Sequence, residues 1–362
     1  MRILVDGMPR SMGGIGTLIM NLVQYNEQLG KQDIYQFEFL LPQGSAYKSV
    51  LQAKGYPYYE VPKVLTLAYE QAIRKVFSNN QYDFVWINNT SKVNIQLPSI
   101  AKEHGTRVIV HSHGVATEAT GCRKVLFSLM EKLNSKRYLR LVDIPFACST
   151  QSAKYFYPDD LLAKCKIVPN GIFSEKFMFS NEDREEIRHG LDLLPGDVLL
   201  GSVGRLTRVK NYEYIIRMMN QLPENYKYII LGKGENEEEI NDLVCSMHLE
   251  KRVFLLGMKD RVEKYLSAMD IYLMPSFNEG MPFSLIEAQA NGLRCIVSTG
   301  ITKSADITGN VVFAELDKSG DWFDEIMKST EPLEERPLAN KQVREAGFSV
   351  EESYETFISC LT

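Results

Sequence analysis

Short apolar runs rich in β-branched residues alternate with longer helix-like stretches along the first half of the chain. This order predicts parallel strands joined by helical crossovers. The runs that predict strands are residues 3–5, 37–41, 84–87, 108–111 and 144–148.

The same alternation restarts after the Pro-Asn-Gly sequence at 169–171 and a polar stretch at 181–188. New strand-like runs fall at 198–203, 228–231, 253–256, 271–274 and 295–298. We therefore predict an α/β chain of two doubly wound parallel-sheet domains, residues 1–168 and 169–348, joined tightly near 168–172. Sheets of this kind bind ligands outside the carboxyl ends of their strands, and a cleft between two such domains is the expected ligand site.

Composition and charge narrow the class of protein. The chain has 362 residues, of which 44% are hydrophobic and 24% charged, so it is long enough for two cores and too apolar to be disordered. Residues 1–169 hold 20 Lys and Arg against 13 Asp and Glu, or +7, and residues 170–362 hold 21 against 33, or −12. A basic lobe that approaches an anionic surface and an unequal distribution of solvated charge both fit this asymmetry.

The six cysteines and the N-terminus indicate a reducing compartment. No Cys-x-x-Cys pair occurs, which argues against a disulfide framework or a zinc site. The chain enters a strand at once, with no signal-peptide pattern and no apolar run long enough to span a bilayer. We expect a cytoplasmic protein that needs no cofactor.

The segment 275–299 has the most specific pattern. The apolar run 271–274 leads into a Gly-Met-Pro turn, and the pattern predicts a helix over 283–291 with Pro282 near its start and Gly292 at its end. The free amides of a helix start attract a diphosphate. Glu279 lies in the turn and Glu287 just over one helical turn into the helix, so two carboxylates are placed to accept hydrogen bonds from sugar hydroxyls.

This segment, EGMPFSLIEAQANGL, resembles the E-x7-E motif of retaining GT-B glycosyltransferases of family four, and more closely the bacterial capsule and exopolysaccharide members. The resemblance implies two Rossmann-like domains facing across a cleft, an acceptor-binding domain at 1–168 and a nucleotide-sugar-binding domain at 169–348, with the final helix of 349–362 crossing back to the first domain. It implies that Glu287 holds the nucleotide ribose and that Glu279 faces the donor sugar. It also places Gly280, Met281, Phe283 and Ser284 against the nucleotide sugar. Arg294 departs from the family, which usually has proline there.

A basic loop follows the strand predicted at 198–203. Its sequence, GRLTRVKN, puts Arg205 and Lys210 at a strand's carboxyl end, where two cations suit a diphosphate. They resemble the family's pair that stabilises the leaving nucleoside diphosphate. Arg208 is interpreted as a solvent-exposed charge.

Two features of the first domain point to the same ligand. Gly13 and Gly14 follow the first strand, but the loop does not fit G-x-G-x-x-G, which argues against a dinucleotide dehydrogenase. The family resemblance places them over the donor phosphate and the acceptor entrance. His111 and His113 end another strand, where the family carries a histidine lining the donor sugar. Strand alternation places both on one side, so the sequence does not choose between them.

Two further loops, 231–235 and 255–262, resemble those that seat the nucleotide base, and they contribute Gly232, Lys259 and Val262. The stretch 123–141 has six basic residues among many apolar ones and fits either a helix on a membrane surface or a crossover helix with a basic solvated face. The first alternative would put the protein at the inner face of the cytoplasmic membrane.

These features predict a retaining, metal-independent glycosyltransferase of bacterial surface polysaccharide synthesis. Its donor would be a nucleotide sugar, most simply a UDP-sugar, and its acceptor a hydroxyl of a glycan or a polyprenyl-linked saccharide. No Asp-x-Asp occurs, so a metal-bound diphosphate has no support in the sequence, and nothing points to nucleic acid. Two alternatives stay open: a nucleotide-sugar epimerase of the same fold, and a non-catalytic nucleotide-sugar-binding partner in a polysaccharide assembly complex.

Overall fold

The chain divides into two compact units. The computed structural model describes residues 1–114, 121–328 and 335–361, with side chains omitted for 121–127 and Ser319. Unit 1 comprises Met1–Gly171 and the chain from Val350 onward, and unit 2 comprises Ile172–Ser349. The division therefore falls three residues after the predicted boundary, at Gly171, and the predicted final helix belongs to unit 1.

Unit 1 is built on a parallel sheet of seven strands in the order β3-β2-β1-β4-β5-β6-β7. Its strands are β1 Arg2–Asp6, β2 Gln36–Pro42, β3 Tyr58–Val61, β4 Phe84–Asn89, β5 Arg107–Ser112, β6 Ile144–Ala147 and β7 Lys166–Ile167. Its helices are α1 Gly14–Gln28, α2 Tyr47–Lys54, α3 Leu67–Asn79, α4 Gln96–Glu103, α5 Gly121–Leu139, α6 Thr150–Phe156, α7 Asp159–Leu162 and α15 Val350–Ile358.

Unit 2 repeats this plan with a parallel sheet of six strands in the order β10-β9-β8-β11-β12-β13. Its strands are β8 Val198–Val203, β9 Tyr226–Leu231, β10 Val253–Gly257, β11 Ile271–Met274, β12 Arg294–Ser298 and β13 Val311–Ala314. Its helices are α8 Asn181–Gly190, α9 Tyr212–Met218, α10 Glu237–Ser246, α11 Val262–Ala268, α12 Phe283–Ala290, α13 Ser319–Met327 and α14 Arg336–Glu345.

The last helix completes the core of unit 1. Phe357 of α15 packs on Trp86 of β4, with ring centroids 4.5 Å apart, and Tyr354 donates a 2.6 Å hydrogen bond to Asn26 Oδ1 of α1. All four side chains are buried. Burial of an aromatic ring that would otherwise be exposed contributes about 2 kcal/mol, so α15 is held by its apolar face and not by helix propensity.

The prediction of an α/β fold with two doubly wound parallel sheets is confirmed. Three strands had no prediction: β3, β7 and β13. Each lies at a sheet edge, and β7 has only two residues, too few for an apolar pattern. Helix α12 ends at Ala290 with Asn291 as its C-cap, and the predicted capping glycine, Gly292, follows with a left-handed φ of 77°. Arg294 begins β12 and forms a 2.5 Å ion pair with Glu325 of α13.

Candidate functional site

The candidate site of unit 2 lies at the point where the strand order of its sheet reverses. Strands β8 and β11 are neighbours there, and the loops that leave them run in opposite directions across the sheet. Such a point forms a crevice at the carboxyl ends of the strands. The two loops are joined by a hydrogen bond from Phe277 N to Val209 O of 2.8 Å and another from Asn211 Nδ2 to Pro275 O of 3.2 Å.

Lys210 and Glu279 form an ion pair across this crevice. Lys210 Nζ lies 2.8 Å from Glu279 Oε1, and the two side chains are 16% and 22% exposed. The lysine side chain packs along Gly204, where an added Cβ would lie 3.3 Å from Nζ. A cation and a carboxylate at one crevice give it both a donor for phosphate oxygens and an acceptor for hydroxyls.

The loop after β12 holds the backbone of Glu279 through hydrogen bonds. Its Gly300 carbonyl accepts a 3.2 Å hydrogen bond from the Glu279 amide, and Glu279 also pairs with Ile301 in an isolated parallel bridge. A Cβ on Gly300 would lie 2.1 Å from Phe277 O, so only glycine permits this approach. Sequence reasoning missed Gly300, although its position directly after a predicted strand was a usable signal.

Helix α12 follows the loop that leaves β11 at the same crevice. The carbonyl of its N-cap residue, Pro282, accepts hydrogen bonds from the amides of Leu285 and Ile286. The amides of Phe283 and Ser284 come before these and belong to the first turn, whose amides make no bond within a helix. Ser284 Oγ accepts a 2.9 Å hydrogen bond from the Tyr272 hydroxyl of β11. A Cβ on Gly280 would meet no atom within 4 Å. The predicted residues 280–284 therefore surround an open helix start.

Glu287 lies on the fifth position of α12 and is partly buried. Loss of hydration raises the pKa of its carboxyl to about 7; the nearby Lys176 lowers it and the Glu263 carboxylate raises it further. Lys176 Nζ itself lies 3.6 Å from Glu263 Oε2. Neither Lys176 nor Glu263 was predicted, since they come from distant parts of the sequence.

Arg205 forms its ion pair with a different carboxylate from the one that Lys210 contacts. Its guanidinium forms a 3.0 Å ion pair with Glu235 in the loop after β9, and both side chains are exposed. Arg208 is more exposed still and pairs with Glu239 at 3.6 Å. The two cations that were predicted to act together thus contact different carboxylates in this structure.

The loops predicted to seat a nucleotide base are joined by their backbones. Gly232 N donates to Gly257 O at 2.9 Å, and Leu206 N donates to Lys233 O at 3.1 Å. A Cβ on Gly232 would lie 1.9 Å from Gly204 O, so glycine is required where these loops meet. Two other predicted residues lie farther along the chain: Val262 begins α11, and Lys259 Nζ lies 5.7 Å from the centroid of the Tyr265 ring.

In unit 1, Gly13 is the N-cap of α1 and Gly14 its first residue. The Tyr47 hydroxyl accepts a 3.3 Å hydrogen bond from the Gly13 amide. That ring leaves no room at Gly16, where a Cβ would lie 2.2 Å from the Tyr47 oxygen. The glycine loop is therefore shaped from within unit 1 by Tyr47, which the sequence did not single out.

The two histidines at the end of β5 differ in exposure. Their rings lie 4.1 Å apart between centroids, as strand alternation predicts. His111 is fully buried, and burial together with His113 holds its pKa well below its usual value. His113 is partly exposed, and desolvation lowers its pKa to about 3, so both rings are neutral at pH 7.

Hydrogen bonding fixes the tautomer of His113. The side-chain amide of Asn88 donates from Nδ2 to the Asp6 carbonyl at 3.2 Å, so its Oδ1 faces His113 Nε2 at 2.8 Å and can only accept. Nε2 of the neutral imidazole therefore carries the proton, and Nδ1 is a hydrogen-bond acceptor.

Two further features concern metal sites and membrane spans, over residues 1–114, 121–328 and 335–361. Among the His, Cys, Asp and Glu whose side chains the structure describes in these ranges, no group of three or more is arranged to hold a metal ion. None of the helices described there has the length and apolar character that a bilayer crossing requires.

Related proteins are glycosyltransferases. Residues 183–344 match the family Glycosyl transferases group 1. EpsF of Bacillus subtilis, which is named as a glycosyltransferase, is 25% identical over 319 residues that cover 84% of this chain and 80% of that protein. The UDP-Gal:alpha-D-GlcNAc-diphosphoundecaprenol alpha-1,3-galactosyltransferase of Escherichia coli is 30% identical over 236 residues, 63% of this chain and 60% of that protein.

Solved structures share the fold over the whole chain. Alr3699/HepE of Anabaena in complex with UDP-glucose superposes with a TM-score of 0.76 at 18% identity, covering 100% of this chain and 99% of that one. A glycosyltransferase from Rickettsia africae gives a TM-score of 0.74 at 15% identity over 99% and 97% of the two chains. Likeness at this level of identity establishes the architecture alone. This chain therefore has the GT-B fold, and its residues 183–344 match the glycosyl transferases group 1 family.

Proposed function

We propose that the protein is a retaining, metal-independent glycosyltransferase that moves a sugar from a UDP-sugar to a hydroxyl of a glycan or lipid-linked oligosaccharide in bacterial surface polysaccharide synthesis. The observation that carries this proposal is the Lys210–Glu279 pair at the reversal of strand order in unit 2, beside the open start of α12. The Escherichia coli relative, whose name specifies a UDP-galactose donor and a diphosphoundecaprenol acceptor, supports the choice of substrates.

In this proposal each residue of the crevice acts on one part of the donor. Lys210 and the amides of Phe283 and Ser284 bind the diphosphate and stabilise the charge that grows on it as the sugar leaves. Glu279 accepts hydrogen bonds from hydroxyls of the donor sugar, and Glu287 from those of the ribose. Gly232 and the loop at Gly257 seat the base through backbone groups.

Lys210 has two partners in this mechanism. Without a ligand its charge is balanced by Glu279 at 2.8 Å. A diphosphate offers a second anion on the other side of the ammonium, which can donate three hydrogen bonds. Arg205 joins it after exchanging the exposed Glu235 carboxylate for a phosphate oxygen, a change that costs little because surface ion pairs contribute about 0–1 kcal/mol.

His113 is the histidine we assign to the donor sugar, because it is partly exposed whereas His111 is fully buried. Gly13 and Gly14 at the start of α1 are assigned to the donor phosphate and the acceptor entrance. The departing phosphate takes the proton of the acceptor hydroxyl, so the proposed reaction needs no protein nucleophile.

Helix α5 is proposed to contact the membrane that carries a lipid-linked acceptor. Tyr138 is buried in the core, whereas Leu129 and Leu133 are 54% and 72% exposed. Lys132, Lys136, Arg137 and Arg140 are exposed along the same stretch. Apolar and basic groups on one surface suit an anionic bilayer, at the inner face of the cytoplasmic membrane. Arg123 and Lys124 lie outside the residues whose side chains the structure describes.

The test is a calorimetric titration of UDP, GDP, ADP and dTDP with EDTA present, followed by assays of nucleoside diphosphate release from the matching sugar nucleotides. We expect one nucleotide, UDP, to bind without metal, and release to require an acceptor. Release or isomerisation without any acceptor would favour an epimerase, and binding without turnover a non-catalytic partner. The anomeric configuration of the isolated product, read from its proton coupling, tests retention.

A further inference from the structure

The sheet of unit 1 has its own point of strand-order reversal, between β1 and β4. Asp6 is the last residue of β1, and its backbone lies beside Ile87 of β4 in the parallel register. Asn88 and Asn89 end β4. Parallel sheets bind ligands at the carboxyl edge of such a point, so the crevice lined by Asp6 is where unit 1 would take a ligand.

The absence of a side chain at Gly7 lets the ends of β1 and β4 approach closely. Gly7 follows Asp6 with a left-handed φ of 97°, and a Cβ there would lie 2.0 Å from Asn88 O. Its amide donates to the Asp6 carboxyl, and Asn88 Nδ2 donates to the Asp6 carbonyl at 3.2 Å. Asp6 is thus held firmly, and the same Asn88 side chain orients His113. These contacts connect Asp6 to the histidine assigned above.

Asp6 is a carboxylate in an environment that disfavours its charge. It is partly exposed, and desolvation raises its pKa to about 6. On the helix side, Tyr69 of α3 and Tyr138 of α5 are fully buried; burial raises the pKa of both phenols and the Asp6 charge raises it further. Their oxygens accept hydrogen bonds from Asn94 Nδ2 at 3.1 Å and Asn89 Nδ2 at 2.8 Å.

Among the cations whose side chains the structure describes, over residues 1–114, 128–328 and 335–361, none forms an ion pair with Asp6. A buried or partly buried carboxylate normally acquires such a partner, because its desolvation is otherwise uncompensated. A hydroxyl donor supplied by a ligand would stabilise the charged form, whereas a phosphate would be repelled by it. The chemistry of this position therefore disfavours an anionic ligand and favours one that donates hydrogen bonds, as a polyhydroxylated sugar does.

We propose that Asp6 binds a sugar ring of the acceptor at the strand-order reversal of unit 1, by accepting a hydrogen bond from one of its hydroxyls. This inference rests on the proposed function, since it assigns the acceptor part of that reaction. The ring, and not the phosphate of a lipid-linked acceptor, is the group recognised at Asp6.

The test uses saturation-transfer NMR on the full chain with three neutral probes: methyl α-D-galactopyranoside, methyl β-D-glucopyranoside and N-acetylglucosamine. The wild-type protein should bind at least one of them, and Asp6→Asn, which keeps the shape of the side chain, should weaken that binding about tenfold. The matched control is Asp83→Asn. Asp83 is a carboxylate of the same unit at the opposite edge of the sheet, where it accepts a 2.7 Å hydrogen bond from Arg2 N.

A second measurement needs no variant. Probe binding to the wild-type protein should weaken as pH falls through about 6, because the carboxyl of Asp6 then takes up a proton. Tyr69, Tyr138 and His113 face this position and keep their neutral form throughout pH 5–7.5, given their raised and lowered pKa values. Asp6 is therefore the group whose titration the profile would report.

Three results would overturn the inference: no probe bound by the wild type, binding unaffected by Asp6→Asn, or a pH-independent affinity. UDP titrated into the same samples separates this failure from that of the proposed function. If UDP binds equally to the wild type and Asp6→Asn while probe binding ignores Asp6, only the acceptor assignment is wrong. If no nucleotide binds, the proposed function itself is wrong.

Discussion

Lys210 Nζ lies 2.8 Å from Glu279 Oε1, and the two residues come from loops that follow neighbouring strands at the strand-order reversal of unit 2. The pair is mostly shielded from solvent, so its charges interact more strongly than those of an exposed pair. Each residue also holds the other in place for a ligand. The crevice thus offers a cation that can donate to phosphate oxygens and a carboxylate that can accept from hydroxyls.

Replacing Lys210 tests the role of this pair in leaving-group stabilisation. We expect Lys210→Ala to lower kcat/KM for sugar transfer about 100-fold or more, because the developing charge on the diphosphate loses its main cation. Steady-state kinetics and UDP calorimetry measure the effect. Stability should fall by only about 1 kcal/mol, the cost of leaving Glu279 without its partner.

Arg208→Ala is the matched control for Lys210→Ala, since Arg208 is a cation of the same loop with an 81% exposed side chain. Its kinetics should stay within about twofold of the wild type. The double variant Lys210→Ala with Glu279→Ala should lose less activity than the product of the single losses, as expected for residues that act as a unit. Equal losses from Arg208→Ala and Lys210→Ala would contradict the assignment.

Glu287 is predicted to lower the stability of the fold at high pH while it contributes to UDP binding. The fold raises its pKa from 4.5 to about 7, so its contribution to stability is fully present below pH 4.5 and is lost as pH rises through about 7. Glu287→Gln carries no such charge. At pH 8 the variant should therefore be more stable than the wild type by about 2 kcal/mol. This is less than the full pKa shift implies, because the side chain keeps partial contact with solvent.

Chemical denaturation at pH 8 and pH 4 measures this difference, which should vanish at the lower pH. The same variant should bind UDP at least about fivefold more weakly at pH 8, because an amide oxygen is a poorer acceptor for a ribose hydroxyl than a carboxylate. A variant less stable than the wild type at pH 8, or one with unchanged UDP affinity, would contradict this role.

Gly232 is predicted to be essential where the loops after β8 and β9 meet. A Cβ there would lie 1.9 Å from Gly204 O, a backbone atom that cannot rotate away. Gly232→Ala should cost about 3 kcal/mol in unfolding free energy and should weaken UDP binding. Gly190→Ala is the control, because Gly190 lies in α8 with no atom within 4 Å of an added Cβ. That change should be neutral or stabilising by up to about 1 kcal/mol.

The exposed leucines of α5 test the proposed membrane contact. Leu129→Ser with Leu133→Ser should weaken binding to vesicles of phosphatidylcholine and phosphatidylglycerol, measured by co-sedimentation, by about 100-fold or more, since each leucine contributes about 1.5–3 kcal/mol when it enters the bilayer boundary. Leu338→Ser is the control: this leucine is 66% exposed on α14 of unit 2. Equal binding of both variants, or no preference for the anionic lipid, would indicate that α5 has a solvated face instead.

Much of this architecture follows from local pattern. Strands of the sheet interiors were predicted because each is a continuous apolar run, and the loops after β8 and β11 were assigned to a ligand because glycines, cations and acids directly follow those runs. Strands β3 and β7 were missed because β3 contains the polar Glu60 and β7 has only two residues, whereas the edge strand β13 was missed although it is a four-residue apolar run. Tyr272, Gly300 and Tyr47 were missed because their importance comes from a neighbour distant in sequence.

The sequence by itself determined the alternation of strands and helices, the helix start at Phe283 and the presence of Glu279, Glu287, Arg205 and Lys210 at the carboxyl edge of a sheet. Only the tertiary structure decided which charges pair, that Lys210 bonds Glu279 while Arg205 bonds Glu235, and that His113 is partly exposed whereas His111 is buried. The physical reason is the range of the interactions. Periodicity reports what each segment must bury, whereas ion pairs, close backbone approaches and the pKa of Asp6 or Glu287 depend on strands brought together from distant parts of the chain.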